Sequence, residues 1–321
     1  MEIRHVNGLE LRRAFLGADE LGAADAYWKE VLASGRPSAN PVFRSYIEGF
    51  SLALMEQAPW ARSLLVVALG SRGRILRFER EGGAVAVPFP PNYGGSPVSR
   101  EDVRAHLAEE LGQGCRLEAA DTVPLKLAAV WAGLARYGRN GICYAPGMGT
   151  SFRLMAFWTD APAESLRGGL SDDSAAARPN GPVSRESLFL ERCAGCSACV
   201  RACPTGAIPD DYGCVDAARC VSLYNEVEGG FPDWLPRSAH NSAIGCMTCQ
   251  RCCPEAGADE FSAVVHFSAA ELDALLAGAR GPEADAAIAR AVGSDKEDVV
   301  DSYRPVLSRN LRAFLDARAM A

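Results

Sequence analysis

No stretch of this 321-residue chain stays apolar for the ~18 residues a membrane helix needs; Arg, Glu, Gly or Pro interrupts every hydrophobic run. Its first twenty residues, MEIRHVNGLELRRAFLGADE, alternate charge with apolar side chains and hold no signal-peptide core. A cytoplasmic protein with no membrane contact is therefore expected. Histidine is scarce, and the four present (His5, His106, His240, His266) form no metal-binding spacing. Excess positive charge is also missing. A net charge of −7 and a pI near 5.3 argue mildly against a nucleic-acid coat, leaving room for a local basic patch. What is present is ordinary globular material, 48% hydrophobic and 23% charged, enough for a core and against disorder. The length suits two domains or one large one.

Cysteine is the exception. Ten of twelve lie between Cys193 and Cys253, and in a reducing compartment such clustering points to metal rather than to disulfides. Cys115 and Cys143 stand apart and read as small buried hydrophobes. The stretch Cys193-Ala-Gly-Cys196-Ser-Ala-Cys199-Val-Arg-Ala-Cys203-Pro204 is C-x2-C-x2-C-x3-C-P, the run in which three thiolates hold one cubane and the fourth crosses to a second. Zinc ribbons use two well-separated CxxC pairs instead. Two [4Fe–4S] clusters need eight thiolates, so four more come from Cys214, Cys220, Cys246, Cys249, Cys252 and Cys253. Cys253 precedes proline, as Cys203 does. By that quasi-symmetry Cys193, Cys196, Cys199 and Cys253 hold one cluster, and Cys203, Cys220, Cys246 and Cys249 the other. Cys252 rivals Cys253, and Cys214 rivals Cys220.

Upstream, residues 10–57 carry three- and four-residue apolar steps and read as helical, with Pro41 near a helix start. Strands are expected at 63–69, 74–78, 84–87, 115–119 and 152–159, with Gly82-Gly83 a turn, and helices at 99–111 and 124–136. Residues 161–185 are rich in Gly, Ser, Pro and Asp and read as a linker. Ser268 with Glu271 and Ser294 with Glu297 are capping-box candidates opening short helices; Leu307, Leu311, Phe314 and Leu315 give a last helix one apolar face. The fold class is α+β, divided as 1–160, a linker 161–190, a cysteine-rich domain 191–267 and a helical tail 268–321.

The cysteine order, with a lone Cys220 in AARCVSLYNE and then Cys246-x2-Cys249-x3-Cys253-Pro254, resembles the epoxyqueuosine reductase family, related to reductive dehalogenases. The resemblance continues in Asp121-Thr-Val-Pro124, Ala132-Gly133-Leu134, Gly138-Arg139-Asn140, Pro146-Gly-Met-Gly149-Thr150-Ser151-Phe152 and Thr159-Asp160, covering about residues 60–265. It implies an N-terminal α/β, nitroreductase-like, cobalamin-binding domain joined to a ferredoxin-like double-cluster domain. It implies Asp121 as the proton donor, and Arg139, Asn140, Gly149, Thr150 and Ser151 at the cofactor. It also implies single electrons passed through the clusters from a low-potential donor such as ferredoxin or flavodoxin. Without that resemblance Asp121 reads as a helix cap, and Gly147-Met148-Gly149-Thr150 as a turn, too short for a P-loop.

The sequence departs from the family in four places. The stretch at 84–95 is AVAVPFPPNYGG, whose PFPPNYGG part reads as a surface loop, with a lid or pocket wall as the alternative; Leu127 replaces a glutamate; Arg139 replaces a lysine; and the tail shrinks to Ser268–Ala321. These parts surround the family's tRNA side, so a small-molecule substrate or corrinoid partner is expected rather than tRNA. The alternative is an electron-transfer or corrinoid-reactivating protein with no substrate of its own.

Overall fold

The computed structural model describes residues 4–112, 114–169, 185–211, 214–257 and 261–319. They fall into two units. One holds the described residues within Met1–Gly70, Pro97–Ser197 and Pro209–Val215; the other holds those within Ser71–Ser96, Ala198–Ile208 and Asp216–Ala321.

The first unit begins with β1 (Arg4–Val6), β2 (Leu9–Gly17), α1 (Ala18–Ala33), α2 (Pro41–Glu48), α3 (Leu54–Gln57) and β3 (Ser63–Gly70). The expected helical reading of 10–57 fails at its start, because Leu9–Gly17 is a strand paired antiparallel to β3, Leu11 opposite Leu69. Both faces of this sheet are covered. Ala14, Leu16, Leu64, Val66 and Ala68 enter one core, while Leu11, Phe15, Leu65, Val67 and Leu69 enter another. A strand buried on both sides loses the polar alternation that would mark it. Arg13, 2% exposed, pairs with Glu110.

In the second unit follow β4 (Gly73–Arg80) and β5 (Gly83–Phe89), a hairpin turning at Gly82 and Gly83, both at positive φ. The chain then returns to the first unit through α4 (Arg100–Leu111), β6 (Leu117–Ala119), α5 (Leu125–Trp131), β7 (Arg136–Tyr137), β8 (Cys143–Tyr144), β9 (Phe152–Thr159) and α6 (Ala163–Gly169). The sheet order is β1-β2-β3-β9-β6. Helix α4 opens on a capping box of Ser99 and Asp102. Helix α5 stops short of Arg136 because Gly133, at φ +74°, turns the chain left-handed while Leu134 N–H bonds the Ala129 carbonyl at 2.9 Å. The expected linker begins with α6, and residues 170–184 lie outside the described residues.

The second unit adds α7 (Ala198–Ala202), α8 (Val221–Glu226), α9 (Thr248–Arg251), β10 (Phe261–Phe267), α10 (Ala269–Ala277), α11 (Pro282–Val292) and α12 (Glu297–Ala319). Strand β10 pairs parallel to β4, giving the order β10-β4-β5 under the three tail helices. Ser268 and Glu271 form the expected capping box. Ser294 does not cap, since α12 begins at Glu297 itself and runs 23 residues. Helix α11 is an addition to the expected elements. Leu307, Leu311, Phe314 and Leu315 are buried as expected. Among the described residues no helix is long and apolar enough to cross a membrane.

Candidate metal centre and its surroundings

In the first unit, Cys193 sits in a 3-10 turn, Glu191–Gly195, whose start is tied down by Leu190 N–H to the Tyr137 carbonyl at 2.8 Å. Arg139, 8% exposed, reaches the same turn. It donates to the Cys193 carbonyl at 2.6 Å and to the Asp210 carbonyl. Asn140 donates to the Tyr144 hydroxyl at 2.9 Å and accepts from Ile142 N–H at 3.2 Å. Both side chains therefore shape the β7–β8 hairpin and the cysteine turn. Gly149 and Gly147 stand at φ +57° and +77°, and Gly149 closes a turn with Ala145 at 3.0 Å. A Cβ on Gly147 would stand 2.8 Å from the Arg12 guanidinium. Thr150 is buried and Ser151 half-buried. The five residues expected at a cofactor thus share one hairpin and its following turn, where backbone is the exposed chemistry.

Asp121 is exposed, its side chain at 65%, and paired with Arg100. It caps nothing: the residue before α5 is Pro124, and no side chain caps that helix. Cys143 is buried, its thiol pushed up to about 12 by burial, with Lys126 pulling the other way. Cys214 is held among Arg185, Arg36 and Asp211; burial raises its thiol and the two arginines oppose the rise.

The second unit brings Cys203, Cys220 and Cys246 together. Burial pushes the Cys220 thiol up, Ser222 opposes through its backbone and side chain, and the negative charge of Cys246 and Cys203 adds to the rise. A thiol that feels the charge of two others is what a multi-iron cluster neutralises. Burial also acts on Cys203, but backbone N–H groups of Thr205, Ala207 and Ile208 and the Thr205 hydroxyl outweigh it and hold the thiol below the ordinary cysteine range. The Ala207 N–H lies 3.3 Å from its sulfur. Donors aimed at sulfur favour the thiolate, the form that binds iron. Cys199 and Cys249 lie on α7 and α9, which pack together. Cys252 points its thiol to the Cys249 carbonyl at 3.6 Å. Among the described residues no three Cys, His, Asp or Glu side chains converge on a single ion. A cubane places one thiolate on each of four irons, so that arrangement bears on mononuclear zinc and not on a cluster.

The loop before Cys246 is held by side chains that no motif announces. Asn241 donates its amide to Cys246 Sγ at 3.1 Å, to Thr248 Oγ1 at 3.0 Å and to the Ala239 carbonyl at 2.9 Å, while its Oδ1 accepts from Met247 N–H at 3.0 Å. Asn225, fully buried, donates to the Gly245 carbonyl at 2.7 Å. Asn310 of α12 donates to the Asn225 and Ala243 carbonyls at 2.8 and 3.1 Å. The PFPPNYGG stretch is not a free surface loop: Gly95 N–H bonds the Val292 carbonyl at 2.7 Å, Gly94 N–H reaches the Tyr303 hydroxyl at 2.7 Å, and Tyr93 bonds Glu226.

Residues 192–256 match the 4Fe-4S double cluster binding domain, so the chain is of the class that carries two [4Fe–4S] clusters. It is 28% identical over 206 residues to the epoxyqueuosine reductase of Staphylococcus aureus, which spans 61% of this chain and 49% of that protein. Its fold matches the epoxyqueuosine reductase structure from Streptococcus thermophilus with a TM-score of 0.61 at 15% identity, covering 96% of this chain and 77% of that one. An epoxyqueuosine reductase solved with an epoxyqueuosine-modified tRNA-Tyr stem loop matches at 0.59 and 20% identity, covering 95% and 76%. The chain is similar to epoxyqueuosine reductases over the matched residues, and it spans about half the length of the curated relatives it matches.

Proposed function

We propose that this chain is a cobalamin-dependent iron–sulfur reductase, with Cys193, Cys196, Cys199 and Cys253 on one cluster and Cys203, Cys220, Cys246 and Cys249 on the other. The observation that carries the reading is the convergence of Cys203, the crossing fourth cysteine of its run, with Cys220 and Cys246. The Cys252 thiol turned to its own helix supports Cys253 as the ligand. The placement of Cys214 beside Arg185 and Arg36 supports Cys220. Bound at the turn after β8, cobalamin would supply a strongly reducing metal centre fed one electron at a time. The chain's own share is the glycine turn at Gly147 and Gly149, buried Thr150 and Ser151, and a hairpin braced by Arg139 and Asn140. Asp121 is the proposed proton donor; in the fold it is solvated and paired with Arg100, so donation requires that pair to open.

The departures at 84–95 and at Leu127 favour a substrate other than the tRNA stem loop that one structural neighbour holds. Anaerobically purified protein should contain about eight irons per chain and show a corrin absorption band after reconstitution with cobalamin. Stoichiometric zinc without iron overturns the cluster reading. Eight irons with no corrin band overturn the reductase in favour of an electron carrier. Conversion of epoxyqueuosine tRNA to queuosine tRNA by the loaded protein would overturn the substrate reading alone.

A further inference from the structure

The structure assigns Asn241 a role in setting the reduction potential of the cluster that Cys246 ligates, an inference that rests on the cluster assignment above. All three thiols gathered in the second unit accept hydrogen bonds. Cys203 takes them from the N–H groups of Thr205, Ala207 and Ile208 and the Thr205 hydroxyl, Cys220 from the N–H and hydroxyl of Ser222. Cys246 takes the Asn241 amide at 3.1 Å and lies 3.6 Å from the Thr248 hydroxyl. Donors to the sulfurs are among the factors that set a cluster's potential. They spread the ligand's negative charge, so an added electron meets less repulsion and the potential rises.

Most donors to Cys203 and one of the two to Cys220 are backbone, which no side-chain replacement removes, and the others are hydroxyls free to rotate. Asn241 is different. It is a side chain whose amide has its orientation fixed, because its Oδ1 is held by Met247 N–H at 3.0 Å and its Nδ2 also bonds the Ala239 carbonyl at 2.9 Å. With Oδ1 committed to a donor, the group facing Cys246 is the NH2 and not the oxygen. The amide is therefore both a brace for the loop and a preset dipole against the cluster sulfur.

The test is an EPR-monitored redox titration of the full chain with both clusters assembled, comparing the native protein with Asn241→Leu. The midpoint of one cluster should fall by about 59 mV, a tenfold change in the one-electron equilibrium, while the other stays put. A purely structural role would leave both midpoints unmoved at full iron content, and that result overturns the inference but not the cluster reading. If Asn241→Leu fails to assemble a cluster, the native protein decides the matter. Labelling asparagine side chains with 15N should alter the weakly coupled nitrogen modulations of one reduced cluster, and identical spectra overturn the inference. Native protein without iron overturns both.

Discussion

Gly94→Ala should be among the most damaging single-methyl additions in the second unit, and the structure separates its two costs. Gly94 stands at φ +72°, where a side chain costs about 1–2 kcal/mol. Its added Cβ would lie 2.3 Å from the Val292 carbonyl oxygen, a backbone atom at the end of α11 that cannot swing aside. That oxygen accepts from Gly95 N–H at 2.7 Å and from Arg74 Nη1 at 2.9 Å, so moving it strains two hydrogen bonds as well. Overpacking of this kind costs ~1–3 kcal/mol, and each weakened bond ~0.5–1.5 kcal/mol. The total comes to roughly 3–8 kcal/mol on these figures.

Gly82→Ala is the control. Gly82 has a similar φ of +87°, but a Cβ there meets nothing within 4 Å, so only the backbone cost of about 1–2 kcal/mol remains. Two units make a single unfolding free energy ill-defined, and the comparison is better made on the thermal midpoint of each variant. At ~2–4 °C per kcal/mol for a body of this size, Gly94→Ala should lose at least about 4 °C more than Gly82→Ala. Equal losses would mean that the loop does not dock on Val292 as described, and would refute the reasoning.

Cys203→Ala should cost the cluster built on Cys220, Cys246 and Cys249, halving the iron content, whereas Cys252→Ala should keep both clusters; loss of iron in Cys252→Ala with full iron in Cys253→Ala would reverse the proposed choice. Asp121→Asn should leave iron and cobalamin content intact yet slow single-turnover reduction about a hundredfold, and equal rates would remove Asp121 as the acid. Cys143 holds its proton to about 12 when folded against 9.0 for an ordinary cysteine. The native state therefore binds the extra proton between those values and stability falls as pH rises through them; Cys143→Ala should flatten that alkaline loss in denaturation curves run from pH 8 to 11. Asn310→Leu would leave the Asn225 and Ala243 carbonyls without their donor, at about 1–3 kcal/mol for each buried group, and hydrogen exchange of the Ala243–Cys246 amides should quicken while that of β2 and β3 does not change.

The double-cluster character was legible in sequence because thiolate spacing is itself the chemistry: a run at steps of three, closed by proline, marks a pair of clusters. Strands β3, β4, β5 and β9 were legible for a similar reason, each being a short β-rich run bounded by turn residues. Strand β2 was not, since two-sided burial fills successive positions with apolar groups and mimics a helical face. Helix α11 carried readable marks: Pro282 at its first turn, Gly293 at φ +70° past its end, and buried Ala284, Ala287, Ile288, Ala291 and Val292 at helical steps. Its alanines are weak hydrophobes, so the apolar period of this helix is faint. Asn241, Asn225 and Asn310 left no signal, because a lone asparagine in a sequence says nothing about which carbonyl or sulfur it will meet.

Those asparagines answer a physical problem that the cysteine-rich segment creates. From Cys203 to Cys253 the described chain has two short helices, α8 and α9, and a 3-10 turn at Arg237–Ala239. Its local core is small, with Val221, Leu235 and Ala239 buried. Loops that close around a cluster leave backbone groups that neither helix nor sheet can satisfy, and burying them unpaired is costly. Side chains from the tail take up that role. Arg309 donates to the Tyr224, Val227 and Gly229 carbonyls and lies over the Phe231 ring at 4.3 Å, and Asn310 bonds two more carbonyls from the next position of α12. Adjacent residues on one long helix thus fix five carbonyls of a segment that cannot fix its own. The last helix is a structural part of the cysteine-rich unit, and removing it would take away the brace from the Cys246 loop.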